Sequence, residues 1–301
     1  MRPLGTAILA LALTGRPALS QAPLATDLWR VAAATLASPE ALASGPAGSL
    51  WNPAAPAGRS SLRHQFAIET IHSPAEMGVA GVVGGLSRHQ RGIGTVTLLY
   101  GRMGIEDLAR TETSPEALPD GVPVYAQVTS LGYATGVSDR LTLGVAVRSL
   151  SARLASRREG RGALDFGGRL ALRGGFALAA ATRFLDPLFG SGRTSTSWSV
   201  ALEWLTPPFE LFGLPAGVNV RAGSTAGAGE QVRFLGLGLD AARLLQVDLG
   251  AANELAFGAA VWRARVAVSL VAGRYTVRFA RDSGVHGFGG TYRFGLGVEA
   301  P

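Results

Sequence analysis

The spacing of the apolar residues constrains this chain most. From about residue 60 onward they recur at every second position, in segments of about ten residues. Leu141, Leu143, Val145 and Val147 alternate with Thr142, Gly144, Ala146 and Arg148. Trp198, Val200, Leu202 and Trp204 alternate with Ser197, Ser199, Ala201 and Glu203, and Tyr292, Phe294, Leu296 and Val298 with Arg293, Gly295, Gly297 and Glu299. A period of two belongs to strands with unlike faces, and the second face tells which kind of sheet they form. In a soluble sandwich that face meets water and carries Lys, Glu and Thr. Here it is Gly, Ala, Ser and single charges, which suits the crowded interior of a closed barrel; the 41 glycines permit tight bends and close packing there.

Composition sharpens this reading. The chain is 47% hydrophobic and 16% charged, yet after its first two dozen residues it has no run of the roughly 18 apolar residues that a membrane helix needs. An apolar chain without such runs can cross a bilayer only as strands whose alternate residues face lipid. Residues 1–22 read as a signal peptide: Arg2 is the positive start, Leu4 to Leu13 the short apolar run, and Ser20 and Ala22 the small residues before cleavage. The expected location is therefore the bacterial outer membrane, with outer-membrane lipids as partners.

Fourteen candidate strands lie near 61–70, 76–85, 93–102, 124–134, 141–150, 163–172, 175–184, 195–205, 216–223, 231–239, 244–252, 255–262, 264–280 and 290–299. If the first runs outward, 103–123, 151–162, 185–194, 224–230 and 281–289 become outside loops, and 86–92, 135–140, 173–174 and 240–243 short inside turns. That alternation of long and short is the habit of outer-membrane barrels; the Pro-rich stretch Thr206–Pro215 departs from it on the inside. Phe176 and Phe184, eight residues apart on one predicted face, are expected in the two interfacial girdles.

Residues 23–60 are not a strand. Leu28–Ala43 is Ala-rich and permits a helix as far as Pro39, and Gly45-Pro46-Ala47-Gly48 turns the chain. The segment is too apolar for water, with Leu28, Trp29, Val31, Leu36, Leu42, Leu50 and Trp51 needing burial. A barrel of about fourteen strands is wider than side chains alone can fill, so 23–60 is expected as a plug inside the barrel of residues 61–301.

Leu50-Trp51-Asn52-Pro53-Ala54-Ala55, just ahead of the first strand, resembles the Asn-Pro-Ala box of FadL-like and PorV/PorQ-like barrels. Tyr133, then Asp139-Arg140-Leu141-Thr142-Leu143-Gly144, and then Asp165-Phe166-Gly167, are similar to strand motifs of the same family, in the same order. The acidic residues usual before the box are replaced by Ala43-Ser44-Gly45-Pro46-Ala47. The resemblance implies an all-β, fourteen-stranded transmembrane antiparallel barrel with an N-terminal plug whose motif is Asn52, Pro53 and Ala54. It implies one of two jobs: passing small hydrophobic molecules, or serving as an accessory barrel of a protein-secretion and surface-attachment system. A purely structural barrel is a third reading.

Catalysis is not expected. The chain has no cysteine, and its four histidines, His64, His72, His89 and His286, lie far apart without metal-ligand spacing. The Gly-rich pieces precede no helix, so they cradle no phosphate. All 28 basic residues are arginine and are scattered rather than gathered on one stripe, which argues against nucleic acid and for lipid head groups. No metal, cofactor or catalytic residue is expected. One charge cluster is: Arg148, Asp165 and Arg169 fall on inward faces of neighbouring strands and are expected to pair with one another, bracing the wall.

Overall fold

The computed structural model describes residues 26–58, 64–74, 77–106, 108, 121–185, 196–227, 230–256, 259–284 and 289–300. Residues 1–22, expected as a signal peptide, His286 and most of the predicted 103–123 and 185–194 loops lie outside the described residues. The strands are β1 (His64–His72), β2 (Val79–Gln90), β3 (Gly94–Ile105), β4 (Val124–Gly136), β5 (Leu141–Leu154), β6 (Arg157–Ala171), β7 (Phe176–Leu185), β8 (Ser197–Leu205), β9 (Phe209–Leu211), β10 (Leu214–Gly227), β11 (Glu230–Ala241), β12 (Leu245–Ala256), β13 (Ala259–Ala272), β14 (Tyr275–Asp282) and β15 (Thr291–Ala300). Every pairing is antiparallel, and β1 pairs with both β2 and β15, while β10 bridges β8 and β11. The sheet therefore closes into a barrel with fourteen wall strands, β9 being a three-residue appendage on β10. Closure leaves no unpaired edge in the wall, as a membrane-spanning sheet requires.

Alternation sets the two faces. Leu98, Leu131, Val147 and Leu164 are cross-strand neighbours and point outward, as do Val277, Leu296 and Ile68 across β14, β15 and β1. The outer wall is thus a belt of large apolar side chains, while Ala146, Arg148, Asp165 and Glu203 point inward and are buried. One end of the barrel, called here the turn end, holds the junctions 91–93, 137–140, 172–175, 242–244 and 273–274; at the opposite, loop end β1, β3, β7 and β14 finish and β2, β4, β8 and β15 begin.

Five expectations are corrected. The predicted strand 264–280 is two strands, because Gly273, at φ 60°, turns the chain between β13 and β14. The predicted break at Asn253–Glu254 lies inside β12, so the total stays at fourteen. The loop predicted at 151–162 is paired strand almost throughout, since Leu154 sits opposite Arg157 and only Ala155 (φ 54°) and Ser156 turn. The Pro-rich stretch 206–215 contains a hairpin, with Phe212 and Gly213 both at positive φ between β9 and β10; that is the two-residue turn whose twist matches paired strands.

The fifth correction concerns Phe184. Phe176 faces outward, 41% exposed, and stacks on Trp204, but Phe184 is 4% exposed and faces the interior. A bulge in β7 causes this: the β6–β7 register skips between Leu164 and Phe166, so Arg183 and Phe184 together oppose Asp165. Phe184 takes φ 58° there, and its backbone N–H donates to Asp165 Oδ1 at 2.7 Å. A bulge shifts the side-chain period by one, which no alternation count can foresee.

Residues 26–58 lie within the barrel. Helix α1 (Thr26–Ala34) packs against β2, β3 and β4; a 3-10 turn at Glu40–Leu42 reaches β7, β8 and β10; the short helix α2 (Gly45–Gly48) meets β1, β2 and β3; and a second 3-10 turn at Ala55–Gly58 meets β3, β4 and β5. The chain thus runs from the loop-end half down to the turn end, where β1 begins.

Candidate functional site

The interior is where the chemistry lies, and the wall is shaped to hold the inner segment. Five wall glycines sit where a side chain would collide with it: Gly85 against Pro46, Gly101 against Trp29, Gly223 against Pro39, Gly144 against Pro53 and Gly167 against Asn52. Gly144 and Gly167 are direct partners across β5 and β6 and form one notch. A Cβ on Gly144 would stand 2.4 Å from the Pro53 carbonyl carbon, and one on Gly167 2.0 Å from Asn52 Oδ1. Only glycine allows that approach. Asn52 is buried, donates from Nδ2 to the Ala41 carbonyl at 2.6 Å and accepts the Ala54 N–H on Oδ1 at 2.9 Å. It thereby fixes both strands of the segment's final turn, with Pro53 rigid between them, in the turn-end half of the barrel.

Arginines of the wall grip the same segment. Arg148 donates from Nη2 to the carbonyls of Ser49 at 2.9 Å and Leu50 at 3.0 Å. Arg293 bonds the Ala32 carbonyl at 2.5 Å and Thr35 Oγ1 at 2.8 Å, and Arg265 reaches the Leu36 carbonyl at 3.3 Å. Those carbonyls lie at and just beyond the C-terminal end of α1, where a helix has unpaired acceptors and a partial negative charge. Arg183 pairs with Glu40 and lies 4.6 Å from the centre of the Trp51 ring.

The predicted charge cluster divides. Arg148 and Asp165 pair at 2.5 Å with both side chains fully buried, under the Phe184 ring, which lies 5.4 Å from the Arg148 guanidinium. Arg169 does not join them. It pairs with Glu203 at 2.5 Å and opens a second network running through Arg221 to Asp248 and Arg278. The reason is lateral: Glu203 on β8 faces Ala177 of β7, close to the turn end where Arg169 sits, whereas Asp165 is drawn toward the bulge. A third network joins Arg263 to Glu254 and Asp282, with Arg265 on the same Asp282.

Two of the cavities among the described residues bear on function. One of about 90 Å³ lies in the loop-end half and is lined by the rings of Trp29, Phe184 and Phe234, by small and apolar residues such as Ala33 and Val232, and also by Ser197 and the charged Arg30, Glu40, Arg183, Glu254 and Arg265. Phe234 lies flat across Gly236 and Gly250, whose missing side chains make its slot. The other, about 330 Å³, lies at the turn end among Gln65, Glu69, Thr142, Arg169, Gln246 and Arg278, beside Asn52 and Ala54. Sequence reading placed Arg293 on an inward face but missed Arg183, Phe184 and Phe234 as cavity residues. Of the histidines, His89 Nδ1 bonds Thr95 Oγ1 at 3.0 Å, and no group of three possible metal ligands occurs among the described residues.

A closed antiparallel wall, an apolar outer belt and an interior filled by the chain's own N-terminal segment define a membrane-spanning β-barrel of the outer-membrane type. The toluene transporter TodX of Pseudomonas putida has this fold: TM-score 0.51, with 8% identity, over 87% of this chain and 96% of that chain. The monoaromatic hydrocarbon channel CymD (TM-score 0.49, 11% identity, 85% of this chain and 92% of that one) and the toluene transporter TbuX of Ralstonia pickettii (0.47, 10%, 87% and 97%) are also similar. No family model and no curated sequence relative matches the chain. The expected secretion-system partner finds no support in these likenesses.

Proposed function

We propose that this protein is an outer-membrane channel for small hydrophobic molecules, with its loop end outside the cell and residues 26–58 as a plug. The observation that carries the reading is the cavity beneath Trp29, Phe184 and Phe234. Charged residues of its lining are paired with one another, Arg183 with Glu40 and Arg30 with Glu254, so the three rings are the surface left for a ligand that sheds water readily. Its place in the loop-end half, directly beside α1, makes it the first apolar station for a molecule entering from outside. The hydrocarbon transport named for TodX, TbuX and CymD agrees with this substrate class. Transport, rather than catalysis, also fits an interior whose charges are spent on one another.

Ser197 Oγ is buried at this cavity without a hydrogen-bond partner among the described residues. Ser197→Phe would fill the space with a ring, and uptake of a ring-sized apolar probe by expressing cells should fall about tenfold, the loss of one well-buried contact. Uptake unchanged by this substitution in an assembled barrel would remove the cavity from the route. Orientation is tested separately, since a chain without cysteine gives clean single labels. Ser156→Cys should react with an impermeant maleimide on intact cells, and Ser138→Cys only after lysis; the reverse pattern would invert the barrel.

A further inference from the structure

We propose that the outer wall over β3–β6, at the loop end, is a docking site for the phosphorylated sugar headgroup of an outer-leaflet glycolipid. The argument starts from register. Tyr125 stands opposite Arg153, and Arg153 opposite Arg158, so the three form one outward row across β4, β5 and β6. Arg102 on β3 lies over the Tyr125 ring, its guanidinium 4.5 Å from the ring centre. Three outward cations thus flank one aromatic ring. Along β2 to β6 every other outward position is apolar, small, hydroxyl, amide or cationic, and none is a carboxylate. Arg158 has no ion-pair partner among the described residues, and Arg153 bonds only the Ala155 carbonyl beside it.

Height distinguishes this patch from an ordinary interfacial girdle. Below the arginine row lie Gln127 opposite Ser151, then Thr129 opposite Ser149, and only then the apolar layer of Leu131 and Val147. From Arg153 down to Val147 is about 20 Å along the strand at roughly 3.3 Å per residue, or about 15 Å along the membrane normal for a tilted wall. On the opposite side of the barrel this ledge is missing: Arg281, over Tyr292, stands directly above Phe279 and Phe294. A polar ledge of hydroxyls and an amide, capped by arginines and an aromatic face, matches a headgroup that is thick, sugar-built and multiply phosphorylated. Hydroxyls and amide bond sugar oxygens, the ring stacks on a sugar face, and guanidinium groups take phosphates in paired hydrogen bonds. A phospholipid headgroup is too thin to span that height.

The inference rests on the outer-membrane reading with the loop end outside, and its test is independent of cargo. Full-length protein is placed in phosphatidylcholine nanodiscs containing either a deep-rough lipopolysaccharide or phosphatidylglycerol at equal charge, and bound lipid is counted by native mass spectrometry. The expected result is retention of the lipopolysaccharide over phosphatidylglycerol, and about a tenfold loss of it in Arg102→Gln/Arg153→Gln/Arg158→Gln. Arg158→Gln alone, at an exposed site with no partner to lose, should give part of that loss, which covers the case of a triple variant that fails to assemble. Arg281→Gln should change nothing. Equal retention of phosphatidylglycerol, an equal loss in Arg281→Gln, or full retention in the arginine variants would overturn the proposal. Apolar-probe uptake should persist in Arg158→Gln, so failure here and failure of the transport reading are separable.

Discussion

The inner wall has two sectors that hold the same N-terminal segment by opposite means. Across β2–β5 the inward residues toward the loop end are Val83, Leu99, Met103, Val128 and Leu150, packed on Leu28, Trp29 and Leu50 with no charge between them. From β8 round to β15 the interior is a set of arginine–carboxylate networks that meet the segment through guanidinium groups on its carbonyls. Helix α1 is matched to both sides: Leu28 and Trp29 enter the apolar sector, while Arg30 reaches Glu254 at 3.4 Å. Apolar packing is strong but indifferent to small shifts, at about 1.5–3 kcal/mol per large side chain. Hydrogen bonds from fixed guanidinium groups to named carbonyls are directional and set the register in which the segment lies. The Arg148–Asp165 pair stands at the seam between them, reaching the segment while tying down the β7 bulge.

Substitutions can break this contrast in order of expected effect. Asp165→Ala leaves Arg148 buried and unpaired and takes away the acceptor for the Phe184 N–H, so unfolding in detergent should come about 3–5 kcal/mol sooner. Asp165→Asn, which loses the charge but keeps an acceptor, should cost less; equal costs would show that the charge alone, and not the bond to the Phe184 N–H, matters at the seam. In the apolar sector Leu99→Ala should cost about 2–5 kcal/mol by opening a cavity. Arg221→Met, in contrast, leaves Glu203 with Arg169, and Asp248 with Gln246 and Arg278, so about 1 kcal/mol is expected. A loss as large as that of Leu99→Ala would mean that the charged networks carry the wall rather than orient the segment.

Gly144→Val tests the notch. Its side chain displaces Pro53, and overpacking of this kind costs about 1–3 kcal/mol. Gly132→Ala on the neighbouring strand, where a Cβ would meet nothing closer than 3.7 Å, is the matched control. Asn52→Ala should cost about 1–2 kcal/mol for two lost bonds. Its signature should be faster cleavage within residues 26–58 by protease added to solubilised barrels, with the barrel itself intact.

Much of this was legible in the residues. Alternation predicted which side chains face lipid, because a closed barrel imposes the two-residue period without exception between bulges. The strand count survived two local errors because Gly273 was passed over and Asn253–Glu254 overread in the same region. Three short motifs quoted for the family resemblance meet in space: Gly144 and Gly167 form the notch that receives Asn52-Pro53, and the Tyr133 hydroxyl donates to the Ile93 carbonyl in the turn below. What the sequence hid depends on register. Phe184 was misplaced because the bulge consumes one residue, and the partner of Arg169 was missed because pairing distance follows the lateral order of strands. Phe234 could have been suspected from Gly236 and Gly250, but only once β11 and β12 were known to pair Gly236 with Gly250.

The central claim is that residues 26–58 close the barrel. Deleting residues 24–56 while retaining residues 1–23, purifying the heat-modifiable barrel and recording it in a planar bilayer tests this directly. The intact chain should show small or no steady conductance, and the deletion a large and stable one through the vacated lumen. Equal conductance from two correctly assembled barrels would contradict the claim, and would make the inner segment a brace for the wall rather than its plug.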